Sequence, residues 1–209
     1  MTNNITIGLI ARDEVLNNTS IQIITKNNLK YLNGKCNYIG ILNYDNNLID
    51  TNVLNLCDAI IFQGGSDIYP YHFQILDYAI KHNIPVLGIC MGHQIIGLYS
   101  NNSTNEKDLI KINNHYNKLT KHNINIKENS ILYKIFGPSL EVNTRHLYAL
   151  DKVKKPFKVT AVSNDNIIEA IEYIDDNNFI LGVQFHPEDL NNTKALYNYF
   201  IEEIIKRKK

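Results

Sequence analysis

The chain has little of what several classes of protein require. It has three cysteines in 209 residues, with no CxxC pair and no Cys/His spacing suited to a metal. Such a small, odd number argues against a disulfide framework and favours a reducing compartment, so we expect a cytoplasmic protein. No segment approaches the roughly 18 consecutive apolar residues of a membrane span, and the first residues show no signal-peptide pattern.

Net charge is absent as well, because 21 Lys and Arg balance 21 Asp and Glu. Proteins that bind nucleic acids or anionic membranes usually concentrate positive charge, so we expect neither partner. No repeat, no Pro/Gly/Ser-rich linker and no Walker-type glycine loop for ATP interrupts the sequence. We therefore expect a single domain over residues 1–209, with no cofactor and no metal.

The first half of the chain alternates short apolar runs with longer amphipathic stretches. The runs predict strands at 5–10, 38–42, 59–62 and 85–89. The amphipathic stretches predict helices at 20–32, 71–82 and 92–99, and a last one at 194–205. This alternation is typical of an α/β fold, and we expect a flavodoxin-like, doubly wound, mostly parallel sheet with helices on both faces.

The second half of the chain is rich in strand-like segments with few helices between them. The predicted strands are 124–126, 140–143, 157–163, 167–173 and 179–185. Asn-Asp-rich turn signals at 164–166 and 175–178 separate pairs of these strands. We expect a β-rich C-terminal extension of the parallel sheet.

The most informative stretch is an apolar strand that runs into Cys90, with Gly88 and Gly92 on either side and a helix after it. This is the cysteine form of the nucleophile elbow, a sharp strand-to-helix turn that exposes the reactive side chain. Glycines are needed where side chains would collide with neighbouring backbone or with substrate. The start of the helix also favours a thiolate. For Cys36 and Cys57, which lack such flanks, we expect buried core positions.

A second pattern places His186 and Glu188 at the end of a late apolar strand, with Pro187 between them. The proline keeps His186 extended, so the side chains at 186 and 188 can project to the same side. A cysteine nucleophile needs a base that a carboxylate orients. We therefore predict a catalytic triad of Cys90, His186 and Glu188, assembled by folding.

A third element is the pair Gly64-Gly65 at the end of the predicted strand 59–62. Adjacent glycines allow a backbone N–H to point into a cleft, and ligands of open α/β sheets bind beyond the carboxyl ends of the strands. With the N–H of Met91, the N–H of Gly65 is expected to form an oxyanion hole.

Together these elements resemble the class I glutamine amidotransferases, whose patterns are G-x-C-x-G-x-Q and a late H-P-E. Within that superfamily, the run from Gly64 to Pro70 is similar to the G-G-x-D-x-x-P of the γ-glutamyl hydrolase branch, peptidase family C26, which includes γ-glutamyl-γ-aminobutyrate hydrolases. The run from Val142 to His146 is similar to that branch's V-N-S-x-H. One departure is Met91, where the aminobutyrate hydrolases usually carry arginine.

The resemblance implies hydrolysis of a γ-glutamyl amide of a small molecule. Cys90 would attack the γ-carbonyl, His186 would relay a proton to the leaving amine, and water would release glutamate from a thioester. The resemblance also implies candidate substrate-binding residues, with Gln94 near the α-carboxylate of the glutamyl group. These candidates are Gly64, Gln94, Asn143, Arg145 and His146.

Two alternatives stay open at this point. The chain can be a glutaminase subunit that delivers ammonia to a separate synthetase, or, less favoured, a non-catalytic binding module on the same fold. The sequence leaves the leaving amine, the pathway and the presence of a homodimer undetermined.

Overall fold

In the computed structural model, nine strands form one mixed sheet and two strand pairs lie apart from it. The structure describes residues 4–175 and 177–208, apart from the side chains of 117–119. The strands, in chain order, are β1 Thr6–Ile10, β2 Arg12–Leu16, β3 Thr19–Ile23, β4 Asn37–Ile41, β5 Ala59–Phe62, β6 Val86–Ile89, β7 Ile110–Lys111, β8 Tyr116–Ile126, β9 Ser139–Arg145, β10 Tyr148–Ala149, β11 Phe157–Ser163, β12 Ile168–Tyr173 and β13 Ile180–Val183. The α-helices are α1 Pro70–Lys81, α2 Met91–Ser100, α3 Ile131–Phe136 and α4 Lys194–Arg207.

The parallel part of the sheet has the order β4-β1-β5-β6-β13. Numbered along the chain, these five strands have the order 2-1-3-4-5, which is that of flavodoxin. Helices cover both faces, since α1 and α2 pack on one apolar core and α4 on the other. The predicted flavodoxin-like fold is therefore confirmed.

The predicted β-rich extension continues the same sheet in antiparallel fashion, in the order β13-β12-β11-β8-β9. Strand β8 is longer than predicted and includes the polar run before residue 124. The short helix α3 is absent from our sequence-based expectations. Ser130 caps it, because its hydroxyl accepts a hydrogen bond from the N–H of Tyr133 at 3.1 Å.

The helix predicted over 20–32 is wrong. Its first residues belong to β3, which pairs with the preceding strand β2 in a hairpin, and only a short 3₁₀ turn, Lys26–Leu29, follows. The two residues between the strands, Asn17 and Asn18, have φ of 49° and 61°. Asparagine tolerates this left-handed conformation, which a two-residue hairpin turn requires. The asparagine pair therefore favours a β-hairpin at this point of the chain, where the apolar periodicity predicts an amphipathic helix.

None of the helices in the described part of the chain is both long and apolar enough to cross a membrane.

Candidate active site

Cys90 lies on a strained turn between β6 and α2. Its φ is 51° and its ψ is −99°, at the residue that precedes the first turn of the helix. Among the described residues, every other non-glycine residue with positive φ is an asparagine. A cysteine has no such tolerance, so the surrounding structure has to hold this conformation. Strain of this kind in a nucleophile elbow exposes the side chain beyond the end of the strand.

The flanking glycines allow α2 to pack directly against the sheet. A Cβ on Gly88 would lie 2.6 Å from the carbonyl carbon and oxygen of Gly92, and a Cβ on Gly92 would lie 2.5 Å from the carbonyl oxygen of Phe62. These are backbone atoms, which cannot move aside cheaply. The glycines of the elbow are therefore required by helix–sheet contact, as well as by the turn itself.

His186 follows β13, the parallel neighbour of β6, so its side chain comes to the same sheet edge as Cys90. Its backbone is extended, with φ of −101° and ψ of 90°, as expected for a residue before proline. The Nδ1 of His186 lies 2.7 Å from Oε1 of Glu188, and both side chains are buried. Because a carboxylate only accepts, Nδ1 carries the proton and Nε2 is the atom left for chemistry.

The electrostatics of His186 favour its charged form. Burial lowers the pKa of the imidazole, but the neighbouring Cys90 sulfur and the Glu188 carboxylate raise it by more, to about 10. Near neutral pH, His186 is therefore an imidazolium in the free protein.

The loop after β5 approaches the other side of this pair. A Cβ on Gly64 would lie 2.5 Å from Cε1 of His186 and 3.4 Å from Cβ of Cys90, and one on Gly65 would lie 2.9 Å from Sδ of Met91. The two residues predicted to form an oxyanion hole, Gly65 and Met91, are thus neighbours. Met91 begins α2, so its N–H has no acceptor within the helix.

These groups open into a cavity of about 440 Å³. Its lining includes six residues that were predicted for the site: Cys90, His186, Glu188, Gly64, Gly65 and Arg145. The remaining lining residues are Arg12, Glu14, Thr25, Asn27, Ser66, Tyr116 and Asp189. Arg145 forms an ion pair with Asp189, and its Nη2 lies 3.9 Å from Oε1 of Glu188.

Gln94 lines an adjoining cavity of about 250 Å³, which shares Ser66 with the first. The amide nitrogen of Gln94 donates to the carbonyl of Tyr148 at 2.8 Å and to Oε1 of Gln184 at 3.3 Å. Both N–H donors are thereby occupied, and the polar atom left to the cavity is Oε1, an acceptor. An acceptor suits an ammonium group better than the α-carboxylate that the resemblance implies near Gln94.

Two other predicted substrate-binding residues do not line the larger cavity. The side chain of Asn143 binds the backbone of His186, donating to its carbonyl at 2.9 Å and accepting from its N–H at 2.8 Å. His146 is buried, and its Nε2 lies 3.2 Å from Nδ1 of His115. Their polar atoms are directed to other protein groups, which accounts for the difference from the expectation.

The sequence analysis missed two residues that contact the site. The amide nitrogen of Gln184 lies 3.7 Å from Sγ of Cys90, in hydrogen-bonding geometry for sulfur. Arg12 donates to the carbonyl of Gly64 at 2.9 Å and so holds the loop after β5. Gln184 was detectable, because residues 184 and 186 share one side of an extended segment. Nothing in the sequence links Arg12 to Gly64, 52 residues away.

A strained cysteine elbow, a His-Glu pair on the adjacent strand and a sheet in the flavodoxin order define the class I glutamine amidotransferase-like proteins. The model of the Peptidase C26 family matches residues 71–188, more than half of the chain, and the chain belongs to that family. The predicted resemblance is thus confirmed at the level of superfamily and family.

Individual relatives agree with this assignment. The chain is similar to Protein NtpR of Enterococcus hirae, with 29% identity over an alignment of 178 residues that covers 70% of this chain and 74% of that protein. It is also similar to the glutamine-hydrolyzing GMP synthase of Petrotoga mobilis, with 31% identity over 150 residues, or 71% of this chain. The match spans only 27% of that GMP synthase.

A solved structure shows the same fold. The glutaminase domain of Trypanosoma brucei CTPS with bound acivicin has a TM-score of 0.69 to this chain. The superposition covers 99% of this chain and 96% of that one, at 17% sequence identity. At this identity the likeness concerns the fold alone.

Proposed function

We propose that this chain hydrolyses γ-glutamyl amides of small molecules through a triad of Cys90, His186 and Glu188. The observation that carries the proposal is the geometry of the nucleophile. Cys90 is held at a φ of 51° beside an imidazole whose Nδ1 is fixed by a carboxylate at 2.7 Å. This is the arrangement of nucleophile, acid–base group and orienting acid that covalent catalysis of acyl transfer requires.

The reaction proceeds in two halves. The Cys90 thiolate attacks the γ-carbonyl carbon, while the N–H groups of Gly65 and Met91 stabilise the oxyanion. His186, which begins as an imidazolium, gives its Nε2 proton to the leaving nitrogen as the C–N bond breaks. The product is a γ-glutamyl thioester and a free amine. The neutral imidazole then takes a proton from water, whose oxygen attacks the thioester and releases glutamate and the Cys90 thiolate.

The smaller cavity supports a glutamyl acyl group. Besides Oε1 of Gln94, its lining includes two carboxylates, Asp67 and Glu106, and one ammonium, Lys107. An α-amino acid head carries groups of both signs, an ammonium that suits the carboxylates and a carboxylate that suits Lys107. We infer that the head occupies this cavity, that Oε1 of Gln94 accepts from the ammonium, and that the γ-carbonyl reaches Cys90 past Ser66.

A second candidate function is that of a glutaminase that passes ammonia to a separate synthetase. It is favoured by the likeness to a glutamine-hydrolyzing GMP synthase, in which this chain matches only part of a longer protein. The chemistry at Cys90 is the same in both functions. They differ in the amine that leaves and in whether release depends on a partner.

The test is glutamate release by the purified chain from glutamine and from a panel of γ-glutamyl amines, with the Cys90→Ala variant as control. Release from several γ-glutamyl amines by the chain alone supports the hydrolase. Release from glutamine alone that increases when a synthetase is added supports the glutaminase. If no substrate is cleaved and Cys90→Ala binds them as tightly as the wild type, a non-catalytic binding module is the better account.

A further inference from the structure

A second cluster of chemically active side chains lies away from Cys90, inside the antiparallel extension. It consists of His115, His122, His146 and Glu169, and we call it the histidine cluster. Glu169 is fully buried in β12, and His115 and His146 are only 4% and 3% exposed. Burying a carboxylate among imidazoles is costly unless the charge is compensated. The triad does not use any of these four residues.

Three of these side chains, His115, His146 and Glu169, direct ligand atoms to one point, and His122 contacts Glu169 from outside this group. From Oε1 of Glu169, the distances are 3.1 Å to Nε2 of His122, 3.4 Å to Nδ1 of His115 and 3.7 Å to Nε2 of His146. The last two nitrogens are 3.2 Å apart. Four ligands at about 2.0–2.1 Å from a tetrahedral zinc ion lie roughly 3.3–3.4 Å from one another. The spacing of the cluster brackets that value.

Hydrogen bonds outside the cluster fix the tautomers of two histidines. Nε2 of His115 lies 3.0 Å from the carboxylate of Asp165, and Nδ1 of His146 lies 3.1 Å from the carbonyl oxygen of Tyr148. Both partners are acceptors, so these two nitrogens carry the protons. In the neutral rings, the inner nitrogens therefore present lone pairs to each other and to Glu169.

Three electron-pair donors that face one another repel unless a cation lies between them. The hydrogen bonding within the cluster supports the same conclusion. Neither oxygen of Glu169 and neither ring nitrogen of His122 makes a hydrogen bond of regular geometry among the described residues, although Nε2 of His122 lies 3.1 Å from Oε1 of Glu169. The outer contacts to Asp165 and Tyr148 are those that orient histidine ligands in metal sites, where the second ring nitrogen donates to a carboxylate or a carbonyl.

We propose that the histidine cluster binds a divalent transition-metal ion, best matched by Zn²⁺, with His115, His146 and Glu169 as its three protein ligands. Imidazole and carboxylate are ligands that zinc accepts, and three protein ligands leave the fourth tetrahedral position to a water molecule. His115 precedes β8, His146 follows β9 and Glu169 lies in β12, so the ion would fasten the extension together. The carbonyl of Glu169 also accepts from the N–H of Gln184 at 2.9 Å, which links the cluster to the segment of His186.

No metal was expected from the sequence, because it has no CxxC pair and no Cys/His spacing suited to a metal. The ligands of this cluster are spread over residues 115–169 and converge only through strand pairing. A second group of three potential ligands is His186, Glu188 and Asp189 at the active site, which the test has to separate from the cluster.

The test measures zinc bound by the full chain after chelation and titration, in the wild type and in single variants. We expect one tightly bound equivalent in the wild type, in Cys90→Ala and in the control His82→Gln, whose exposed histidine lies at the end of α1. His146→Gln and Glu169→Gln should lose the ion. Asp165→Asn, which alters only an outer partner, should weaken binding by roughly 10–100-fold.

Two measurements keep the outcome clear if a variant misfolds. Far-UV circular dichroism reports the fold of each variant. Cobalt substitution of the wild type needs no variant, and a tetrahedral ligand-field spectrum is expected. A wild type that takes up no metal would overturn the proposal. A proton shared between the histidines and Glu169 would then be what keeps the facing lone pairs from repelling one another. Retention of zinc in folded Glu169→Gln, or its loss in Cys90→Ala, would overturn it too.

Discussion

The side chain of Asn143 binds the backbone of His186 on both sides, with Nδ2 donating to the carbonyl at 2.9 Å and Oδ1 accepting from the N–H at 2.8 Å. Asn143 lies in β9 and His186 follows β13, and these strands are at different positions in the sheet. The pair therefore joins the outer edge of the antiparallel extension to the active site. Asn143 holds the base in place without touching the substrate cavity.

The first prediction concerns this pair. Asn143→Asp loses the donor to the His186 carbonyl, so we expect kcat to fall by about 10-fold or more while KM changes little, because small displacements of a catalytic group are costly. Steady-state kinetics on the best γ-glutamyl substrate measures both constants. The control is Asn192→Asp, since Asn192 donates to a backbone carbonyl at the exposed surface. An equal loss in both variants would contradict a positioning role.

The second prediction concerns the three cysteines. Burial raises the pKa of Cys36 and of Cys57 to about 11, so only about one in ten thousand of either is ionised at neutral pH. Iodoacetamide at pH 7 should therefore label Cys90 first, with loss of activity in parallel. Peptide mass spectrometry after timed quenching measures the rates. The assignment of the nucleophile is wrong if Cys36 or Cys57 reacts faster than Cys90.

The third prediction compares two neighbouring glycines. Gly64→Ala places a methyl group 2.5 Å from a ring carbon of His186, whereas Gly65→Ala meets the flexible thioether of Met91 at 2.9 Å. Both variants keep their backbone N–H groups. We expect Gly64→Ala to lose activity by on the order of 100-fold, because it displaces the imidazole, and Gly65→Ala to lose much less. Comparable activities in the two variants would show that the His186 ring is not confined by this loop.

The fourth prediction concerns pH and stability. Burial lowers the pKa of His72 to about 4 from its usual value of 6.5, and its Nδ1 accepts a hydrogen bond from the N–H of Tyr69 at 3.0 Å. The unfolded chain binds this proton near pH 6.5 and the folded chain only near pH 4. Folding is therefore penalised progressively as the pH falls through this window, by up to about 3 kcal/mol, and the penalty is absent above it.

His72→Gln keeps an acceptor for Tyr69 but does not titrate. The loss of unfolding free energy between pH 6.5 and pH 4 should be smaller in this variant than in the wild type. Urea unfolding across the range measures it. His82→Gln, on the exposed end of the same helix, should follow the wild type. Parallel curves for all three proteins would show that His72 contributes nothing to acid sensitivity.

The fifth prediction concerns specificity. If the glutamyl ammonium binds Oε1 of Gln94, the wild type should cleave a γ-glutamyl amide far faster than its N-acetylated analogue, because an unpaired acceptor penalises the blocked substrate. Gln94→Leu should lose most of that discrimination, chiefly through a lower kcat/KM for the substrate whose α-amino group is not acetylated. The two substrates carry the same leaving amine, so that they differ only in whether the α-amino group is acetylated. Equal rates in the wild type would remove the glutamyl assignment and leave a generic cysteine amidase.

The prediction of the fold succeeded where local sequence and global structure agree. The apolar run at 59–62 coincides with β5, because a strand buried on both faces has to be apolar whatever its neighbours are, and the strand-like segment at 157–163 coincides with β11. It failed at 20–32, where an apolar period fits a helix but the Asn17-Asn18 turn pairs two strands. The conformational preference of the two asparagines had a larger effect on the structure than the helical period of the apolar residues.

The same division holds for the candidate site. By itself the sequence determined the elbow around Cys90 and the pairing of His186 with Glu188, because each depends on glycine, proline and side-chain direction within a few residues. Only the tertiary structure decided that Asn143 holds His186, that Gln94 presents an acceptor, and that three histidines surround Glu169. These contacts depend on which strands are neighbours and in what register, and a one-residue shift of register would turn each side chain to the other face of the sheet.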